Sequence, residues 1–391
     1  MKKNGFIFLV SLVSLGITSC SNKKDMGSIE NNDSTPSNIE EESLNCNIEW
    51  YNVDPLSPIL NTKGRTGKAV VVPSQEIVHP FAPEVFTFVG WNSVRQNGDV
   101  GTFLSNKELI IPEDVTSYKL FAVYKYKHTD CLIKEDGSTI SMEQLINDEN
   151  ICFTPYGHDG NSLELNTKQD YFKTIGKYSL IFDKHVFQRI SYKSFKDDSN
   201  LKCIAFTDTT TLYTVENGFQ NCTSLKYVNF PNTVGGIESK TFLNCSSLEV
   251  VYLSTGLLRI NNDIFQNCTS LKSIVIPKGV NNIWENAFKM CTSLVDVSIP
   301  DTVWSYAYNI FDNCTSLEKI TLPKPTNSEP GIELRVDKNN TNNMFNGCTN
   351  LKIVNFTGTV EEFKSIQNWE TMGFNSIVKI HCTDGIIDPN K

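Results

Sequence analysis

The chain has 391 residues, enough for two or three domains, and its 35 Lys and Arg against 44 Asp and Glu give a formal net charge of −9. So acidic a chain is a poor match for nucleic acid, which excludes that class of partner. Beyond the first twenty residues, no stretch approaches the roughly eighteen apolar residues that a transmembrane helix needs, so we expect no spanning segment.

The first nineteen residues have the organisation of an export signal. Lys2 and Lys3 precede the apolar run GFIFLVSLVSLG, which is too short to span a bilayer comfortably, and ITSC follows at 17–20. This ending resembles a bacterial lipobox, and the resemblance implies that Cys20 receives a diacylglycerol and becomes the mature N-terminus. An ordinary secretory signal cleaved nearby is the alternative. We predict a signal peptide at 1–19 and a lipoprotein of the cell envelope, anchored by lipid at the outer membrane, on its surface or its periplasmic side.

A polar segment separates the signal from the first ordered sequence. Residues 20–45 include SNKKDMGSIENNDSTPSNIEEESL, which has almost no large apolar residues and is a poor candidate for a core. Removing Lys2 and Lys3 with the signal would change the net charge to 33 − 44 = −11. We interpret the segment as a flexible tether.

Short β-type runs dominate residues 46–130. AVVVP, FTFVGW and KLFAVYKYK are separated by Gly, Pro and Asn, which predicts a small β-rich domain. FTFVGW followed by LFAVY resembles the Listeria-Bacteroides repeat. The resemblance implies a β-grasp-like module that serves as a spacer or stalk in cell-surface proteins. We expect residues 131–170 to be a connecting segment.

One heptad recurs at a fixed interval in the second half of the chain. FQNCTSL stands at 219–225 and again at 265–271, with FLNCSSL at 242–248 between them. The cysteines of this motif are 23 residues apart from Cys222 to Cys314, and the last follows after 34, the excess fitting a loop around KPTNSEPGIEL at 324–334. The six are Cys222, Cys245, Cys268, Cys291, Cys314 and Cys348.

The unit that begins at Phe265 gives the predicted structure of one coil. Leu271, Ile274 and Ile276 have the spacing of a short strand in a parallel stack, and Pro277 ends it. Residues 281–291 fit a turn or short helix that closes the coil. Because one coil of 23 residues cannot bury its own apolar side, about eight must stack into a solenoid.

The motif F-x-N-C-T-S-L-x-x-I-x-I-P at this spacing resembles the BspA-like leucine-rich repeat family over residues 171–382, with a closing cap and a tail at 383–391. The fold class is therefore an α/β repeat solenoid of short parallel strands with short helices or turns, preceded by the small β-rich, β-grasp-like domain. The family includes adhesins that recognise host or bacterial proteins.

The repeat cysteines favour a structural role. No close C-x-x-C pair supports a zinc site, and a small apolar thiol suits a crowded turn. Disulfides between adjacent coils remain an alternative, and Cys46 with Cys131 is a better candidate pair than any within the repeats. NCT and NCS also match the N-glycosylation triplet, although packing is the preferred explanation.

No motif supports catalysis. The five histidines fall in unrelated contexts, without H-E-x-x-H, G-x-S-x-G or a phosphate-binding loop. We predict a protein that is not an enzyme and has no cofactor, catalytic residue or metal ligand.

Function is then expected on the residues that alternate with the strand core and point outward. The candidate contacts for a protein ligand are Tyr227, Asn229, Val250, Tyr252, Val275, Asp296 and Lys319. Exposed aromatics supply much of the energy at interfaces, so Tyr227 and Tyr252 rank first, although both could instead shield the strand backbone. The alternative function is glycan binding, with stacking on Trp284, Trp304, Tyr306 and Tyr308.

Overall fold

A computed structural model of the chain describes residues 44, 46–52, 58–73, 77–80, 82–93, 104, 109–156, 162–192, 194–325 and 332–391. The predicted signal peptide, Cys20 and nearly all of the predicted tether lie outside the described residues, as do 326–331 of the predicted loop. Residues Leu44–Lys391 form one compact unit.

The first region of this unit is a small mixed sheet. Its strands are β1 Cys46–Tyr51, β2 Leu60–Gly64, β3 Phe86–Asn92 and β4 Ser117–Tyr126. The order is β2-β1-β4-β3, with the central pair parallel and both edge strands antiparallel to their neighbours. Leu120, Ala122 and Tyr124 alternate into the core from β4, and Trp50 meets Trp91 edge to face at 4.8 Å between ring centroids. The β-rich character predicted for this region is confirmed, and we call residues 46–126 the β module.

The elements of the second region alternate between two sheets. In chain order they are β5 Cys131–Lys134, β6 Thr139–Ser141, α1 Met142–Asn147, β7 Ile151–Tyr156, β8 Ser162–Thr167, α2 Gln169–Thr174, β9 Tyr178–Phe182, β10 Arg189–Ile190, β11 Leu201–Phe206, β12 Thr214–Val215, β13 Tyr227–Asn229, β14 Gly236–Ile237, β15 Val250–Tyr252, β16 Arg259–Ile260, β17 Ser273–Val275, β18 Asn282–Ile283, β19 Asp296–Ser298, β20 Ser305–Tyr306, β21 Lys319–Leu322, β22 Glu333–Leu334, β23 Ile353–Phe356, α3 Val360–Lys364, a 3₁₀ helix Trp369–Thr371, β24 Lys379–His381 and β25 Ile386–Ile387.

From residue 165 onward these strands wind into a parallel solenoid of about nine turns, which confirms the predicted repeat solenoid with one turn more than expected. Odd-numbered strands from β9 to β23 follow one another on one side of the solenoid, in three hydrogen-bonded sections that we together call the first sheet. Even-numbered strands from β10 to β22 form the second sheet in two sections. Most of the described coils are closed by turns, and short helices lie at the two ends, α2 before β9 and α3 after β23. Residues 131–170, expected as a connecting segment, carry the antiparallel strands that begin both sheets: β5 pairs with β9, and β7 pairs with β8.

One phenylalanine from each coil stacks on the next along the interior. Phe219, Phe242 and Phe265 line up as predicted, with ring centroids 5.4 Å apart at each step. The stack extends from Phe195 to Phe374 with separations of 5.3 to 5.8 Å, and the rings from Phe195 to Phe345 are buried. Each coil therefore covers the apolar side of its neighbour, as a repeat without a globular centre requires.

The repeat cysteines are free thiols inside this stack. Each Sγ donates to the carbonyl oxygen of the phenylalanine one coil earlier, at 2.9 to 3.2 Å: Cys222 to Phe195, Cys245 to Phe219, Cys268 to Phe242, Cys291 to Phe265, Cys314 to Phe288 and Cys348 to Phe311. Burial raises the pKa of every one of these thiols, and that of Cys348 to about 12, so the proton needed for donation is retained. Cys46 and Cys131, the alternative disulfide pair, are also free and buried.

The residue before each repeat cysteine has a left-handed backbone. This position has φ between 60° and 72° in all six coils and is occupied by Asn221, Asn244, Asn267, Met290, Asn313 and Gly347. Asparagine tolerates this conformation better than most side chains. Asn267 Nδ2 donates to Asn244 Oδ1, which in turn donates through its own Nδ2 to Asn221 Oδ1, both at 2.8 Å. The Asn of the NC pair is therefore explained by backbone conformation and a side-chain ladder.

The far end of the solenoid is closed by a small cap. Helix α3 begins with a capping box in which Thr359 and Glu362 exchange hydrogen bonds, and Phe363 is buried from it. Strand β25 pairs antiparallel with β24 and ends the first sheet. The cap therefore covers the apolar side of the last coil.

Candidate functional site

The outward surface of the first sheet, which we call the strand face, is formed by residues that alternate with the core positions. In register, Ser273 lies beside Asp296 and Val275 beside Ser298, so outward residues of successive coils form rows across the strands. The strands lie roughly 5 Å apart, so a row places side chains from several coils within reach of one partner surface. We call β17, β19, β21 and β23 the open half of this face.

The first strands of the same face are covered by the β module. Ile181, Cys203, Ala205 and Tyr227 point outward from β9, β11 and β13, yet they are buried in one apolar cluster with the core of the module. Outward residues of β5, Cys131 and Ile133, belong to this cluster as well. We call β5, β9, β11 and β13 the covered half.

A buried histidine lies at the centre of this contact. The His79 ring stacks on Phe86 at 4.1 Å between centroids and meets Tyr227 edge to face at 5.4 Å. Its Nδ1 accepts a hydrogen bond from Ala82 N at 3.2 Å. Burial lowers the pKa of His79 to about 3, so the imidazole is neutral at physiological pH. A neutral aromatic ring is therefore part of the packing between module and solenoid.

Two polar contacts flank the apolar cluster. Lys202 of β11 forms an ion pair with Glu84 of the module at 2.9 Å, with only 17% and 11% of the two side chains exposed. Asn229 Nδ2 donates to Tyr126 Oη at 3.2 Å. Polar partners at the edge of an apolar contact fix its register, so the module is docked on the solenoid in one orientation.

The covered half overturns part of the predicted contact surface. Tyr227, ranked first with Tyr252, has no exposed area, and Asn229 is only 8% exposed, so the expected exposure of these two residues is wrong. The physical reason is that the module occupies the positions above them. Val250 and Tyr252 are half-buried against the same cluster, with the Tyr252 ring 5.9 Å from that of Tyr227.

The other predicted contacts lie on the open half. Val275 is 58% exposed, an uncommon value for an apolar side chain in a strand, and Asp296 and Lys319 are exposed. Farther along, Lys319 lies beside Ile353 in register. The open half thus offers an apolar side chain, a carboxylate and an ammonium on neighbouring strands, a combination suited to contact with another protein.

The aromatics predicted for glycan stacking are less available. Tyr306 is fully buried, which makes its predicted role as a stacking platform wrong, because its side chain points into the core. Trp284 is half-buried and the Arg335 guanidinium lies over its ring, 4.4 Å from the centroid. Trp304 and Tyr308 are half-buried. These four residues therefore do not form an open aromatic platform.

Neither a metal-holding cluster of side chains nor a membrane-spanning helix occurs in the described part of the chain. Within it, no group of three His, Cys, Asp or Glu side chains is arranged to hold a metal ion. No helix among the described residues has the length and apolar character needed to cross a bilayer.

Stacked parallel strands, a phenylalanine ladder and a closing cap define the class: a leucine-rich repeat solenoid. A family model of the BspA type leucine rich repeat region matches the chain in six copies, over residues 166–291 and 258–380. These matches cover more than half of the chain, and the protein belongs to that family. Its members are typically surface proteins involved in protein interaction and are generally non-catalytic.

Several solved structures are similar to this chain. A leucine rich repeat protein of T. pallidum matches at 20% identity and a TM-score of 0.43, covering 52% of this chain and 88% of its own. A leucine rich cell surface protein of Faecalibacterium prausnitzii matches at 23% identity and 0.41, covering 53% of each chain. A leucine-rich repeat protein of Bacteroides ovatus matches at 16% identity and 0.33, covering 60% of this chain and 77% of its own. No curated protein gives a significant match.

Proposed function

We propose that this protein is a non-catalytic lipoprotein of the cell envelope whose open strand face binds a protein ligand, on the host or on another bacterium. The observation that carries the proposal is the contrast within one surface. Over β9, β11 and β13 the strand face packs a protein module, and over β17 and β19 the equivalent positions are free. A surface that already buries one protein domain has the flatness and rigidity that a second requires.

Three residues of the open half are the proposed contacts. Val275 supplies the apolar anchor, and Asp296 and Lys319 supply charges of opposite sign on the next two outward strands. Tyr252 and Val250 lie between this set and the module, so part of the contact surface is continuous with the covered half. The small apolar centre contributes affinity for a partner. The charged neighbours contribute specificity, because they fix how the partner is aligned on the strand face.

Binding to a panel of purified extracellular-matrix and bacterial surface proteins, measured by biolayer interferometry, tests the proposal. A Val275→Arg variant is expected to lose at least about tenfold in affinity for a bound partner, because a charged side chain replaces the apolar anchor. Val186→Arg is the matched control, since Val186 is 61% exposed but lies outside the strand face. Equal affinities of the two variants and the wild type would place binding elsewhere and reject the open half.

Anchoring by lipid has a separate test. Cys20→Ser is expected to move the protein from the detergent-extracted membrane fraction to the soluble fraction and to abolish labelling with a fatty-acid analogue. Cys382→Ser, at a partly exposed thiol of the cap, is the control that keeps the anchor. Protease treatment of intact cells then assigns the repeat region to the outer surface or to the periplasm. Membrane retention of the Cys20 variant would show that lipid on this residue is not the anchor.

A further inference from the structure

The second sheet carries a feature that neither the strand face nor the repeat core explains. One residue immediately before each strand of this sheet occupies the same corner of successive coils. From β12 to β22 the residues of this corner row are Tyr213, Gly235, Leu258, Asn281, Trp304 and Ile332. Tyr213 is 47% exposed and Leu258 is 62% exposed, and Gly235 lies between them.

The exposed side chains of Tyr213 and Leu258, with a glycine between them, leave space for a slot at this corner. Tyr213 and Leu258 are two coils apart, which corresponds to about 10 Å between their backbones. No heavy atom lies within 4 Å of the position that a Cβ on Gly235 would take, and at Gly236 the nearest is Thr214 Cγ2 at 3.9 Å. The walls are therefore apolar and exposed, and the floor, Gly235 and Gly236, has no side chain. After the thickness of the walls is subtracted, one flat ring fits between them.

Neither glycine is required by the fold. Both have backbone angles open to any residue, unlike Gly279 with φ of 111°. Neither would clash on gaining a Cβ, unlike Gly218, where the new atom would lie 2.9 Å from Ser191 O. Two adjacent glycines weaken a strand through backbone entropy and lost packing. The presence of the two glycines is explained if a ligand occupies the space above them.

The backbone pairing of the second sheet also stops at this point. Strands β12 and β14 pair in parallel, and β16 pairs with β18, but β14 and β16 belong to separate hydrogen-bonded sections. Asn261 Nδ2 bridges the gap by donating to Ile237 O at 2.7 Å. The slot thus lies where the two sections meet.

Charge at the rim of the slot indicates the kind of ligand. Arg259 follows Leu258 directly and is exposed, and its guanidinium has no ion-pair or hydrogen-bond partner within the described residues. Arg189, three coils earlier on the same surface, is neutralised by Glu216. The Thr214 hydroxyl group follows Tyr213 at the opposite wall. An unpaired guanidinium favours a carboxylate, which it can bind through two hydrogen bonds.

We propose that this slot binds an acidic saccharide, with one sugar ring between Tyr213 and Leu258 above Gly235 and its carboxylate on Arg259. The apolar face of a sugar ring suits an aromatic wall, and a ring hydroxyl group suits the hydroxyl group of Thr214. The second sheet is a different surface from the strand face, so the slot does not depend on the proposed protein ligand.

Trigalacturonic acid and its fully methyl-esterified form are the probes, because they share ring geometry and differ in charge. Binding is measured on the mature chain by NMR line broadening of the sugar and by calorimetry. Trigalacturonate is expected to bind, and the ester at least about tenfold more weakly, since it cannot form the charged hydrogen bonds to Arg259. Equal binding of both forms, or of neither, overturns the proposal, as does binding of an aromatic peptide at the slot without binding of the acid.

Three variants locate the site. Gly235→Val fills the slot and is expected to abolish binding, and Arg259→Gln is expected to lower affinity at least about tenfold. Lys278→Gln removes an exposed cation from a neighbouring corner and should change affinity less than twofold. If Gly235→Val unfolds, Gly235→Ala replaces it as the variant that narrows the slot. Its melting temperature should equal or exceed that of the wild type. Affinity that Gly235→Val and Arg259→Gln leave unchanged would refute the site.

Discussion

The covered and open halves of the strand face lie on the same side of the solenoid, with outward side chains at equivalent strand positions, yet they have opposite surroundings. Outward positions of the covered half are mostly apolar or small, as at Ile181, Cys203 and Ala205. Those of the open half are mostly polar, as at Ser273 and Asp296, with Val275 as an apolar exception. Position within a repeat therefore sets where a side chain points, whereas residue type records whether another domain covers it. The part of the strand face that stays uncovered is therefore marked by a change toward polar outward residues.

The largest effect that tests this contrast is expected from shortening Tyr227. Tyr227→Ala removes a fully buried ring that contacts His79 and Phe86, and should lower the free energy of unfolding by about 3–5 kcal/mol. Val275→Ala, at an outward position of the open half, should stay within about 0.5 kcal/mol. Urea denaturation followed by circular dichroism measures both. Similar losses for the two variants would mean that the halves do not differ in burial.

Acid is expected to destabilise the covered half through His79. The folded protein holds the imidazole neutral down to a pKa of about 3, whereas the unfolded chain takes up a proton near 6.5. Between these values the unfolded state binds more protons, so stability falls as pH drops, by about 2–3 kcal/mol at pH 4.5. Denaturation at pH 7, 5.5 and 4.5 should show this loss in the wild type and less of it in His79→Phe. Identical pH profiles of the two proteins would contradict a buried neutral His79.

The ion pair between module and solenoid should contribute less. Lys202→Met leaves Glu84 half-desolvated without its partner and is expected to cost about 1–3 kcal/mol of unfolding free energy. A double-mutant cycle with Glu84→Gln isolates the coupling, which should exceed about 0.5 kcal/mol. The same cycle on Lys352 and Glu318, an exposed pair within the solenoid at 3.3 Å, is the control and should give less. Additive losses at Lys202 and Glu84 would show that docking does not rely on their pairing.

The smallest effect is expected on the open half. Asp296→Ala and Ser298→Ala, singly or together, should leave the melting temperature within about 2 °C, because both side chains are exposed and neither packs in the core. Differential scanning fluorimetry is sufficient to detect a larger change. A clear drop in melting temperature would reveal a covering surface on this half as well.

The sequence predicts the solenoid well because the repeat interval and the apolar positions within it restrict the possible geometry. A 23-residue interval that carries Phe, Cys, Leu and two Ile permits few arrangements other than stacked coils, and Phe219, Phe242 and Phe265 stack accordingly. Local patterns without a repeat were less reliable. AVVVP has the residue types of a strand, yet it forms only an isolated bridge from Ala69 to Ile110, and Val71 is 85% exposed. Strand formation there depends on a pairing partner, which composition does not specify.

Docking of the β module could not be predicted from the repeat period. The period determines which side chains point outward from the solenoid, but not what covers them. A signal was nevertheless present: the outward residues change from Ile181, Cys203 and Ala205 to Ser273 and Asp296 along the chain. The slot on the second sheet was missed for a different reason. A glycine pair ordinarily indicates a turn, whereas in the folded chain no close contact or left-handed backbone requires Gly235.

The hydrogen bonds that the repeat thiols donate inside the solenoid have a consequence for how this protein can change in evolution. Every repeat cysteine donates a hydrogen bond to the phenylalanine carbonyl of the coil before it. The 34-residue interval before Cys348 keeps the same contact, to Phe311 O at 3.0 Å. A whole coil could therefore be duplicated or lost by recombination, and the remaining coils would join through the same bond. Such exchange lengthens or shortens the open half without redesigning the interior, so the reach of the molecule can adapt to new partners faster than its core residues change.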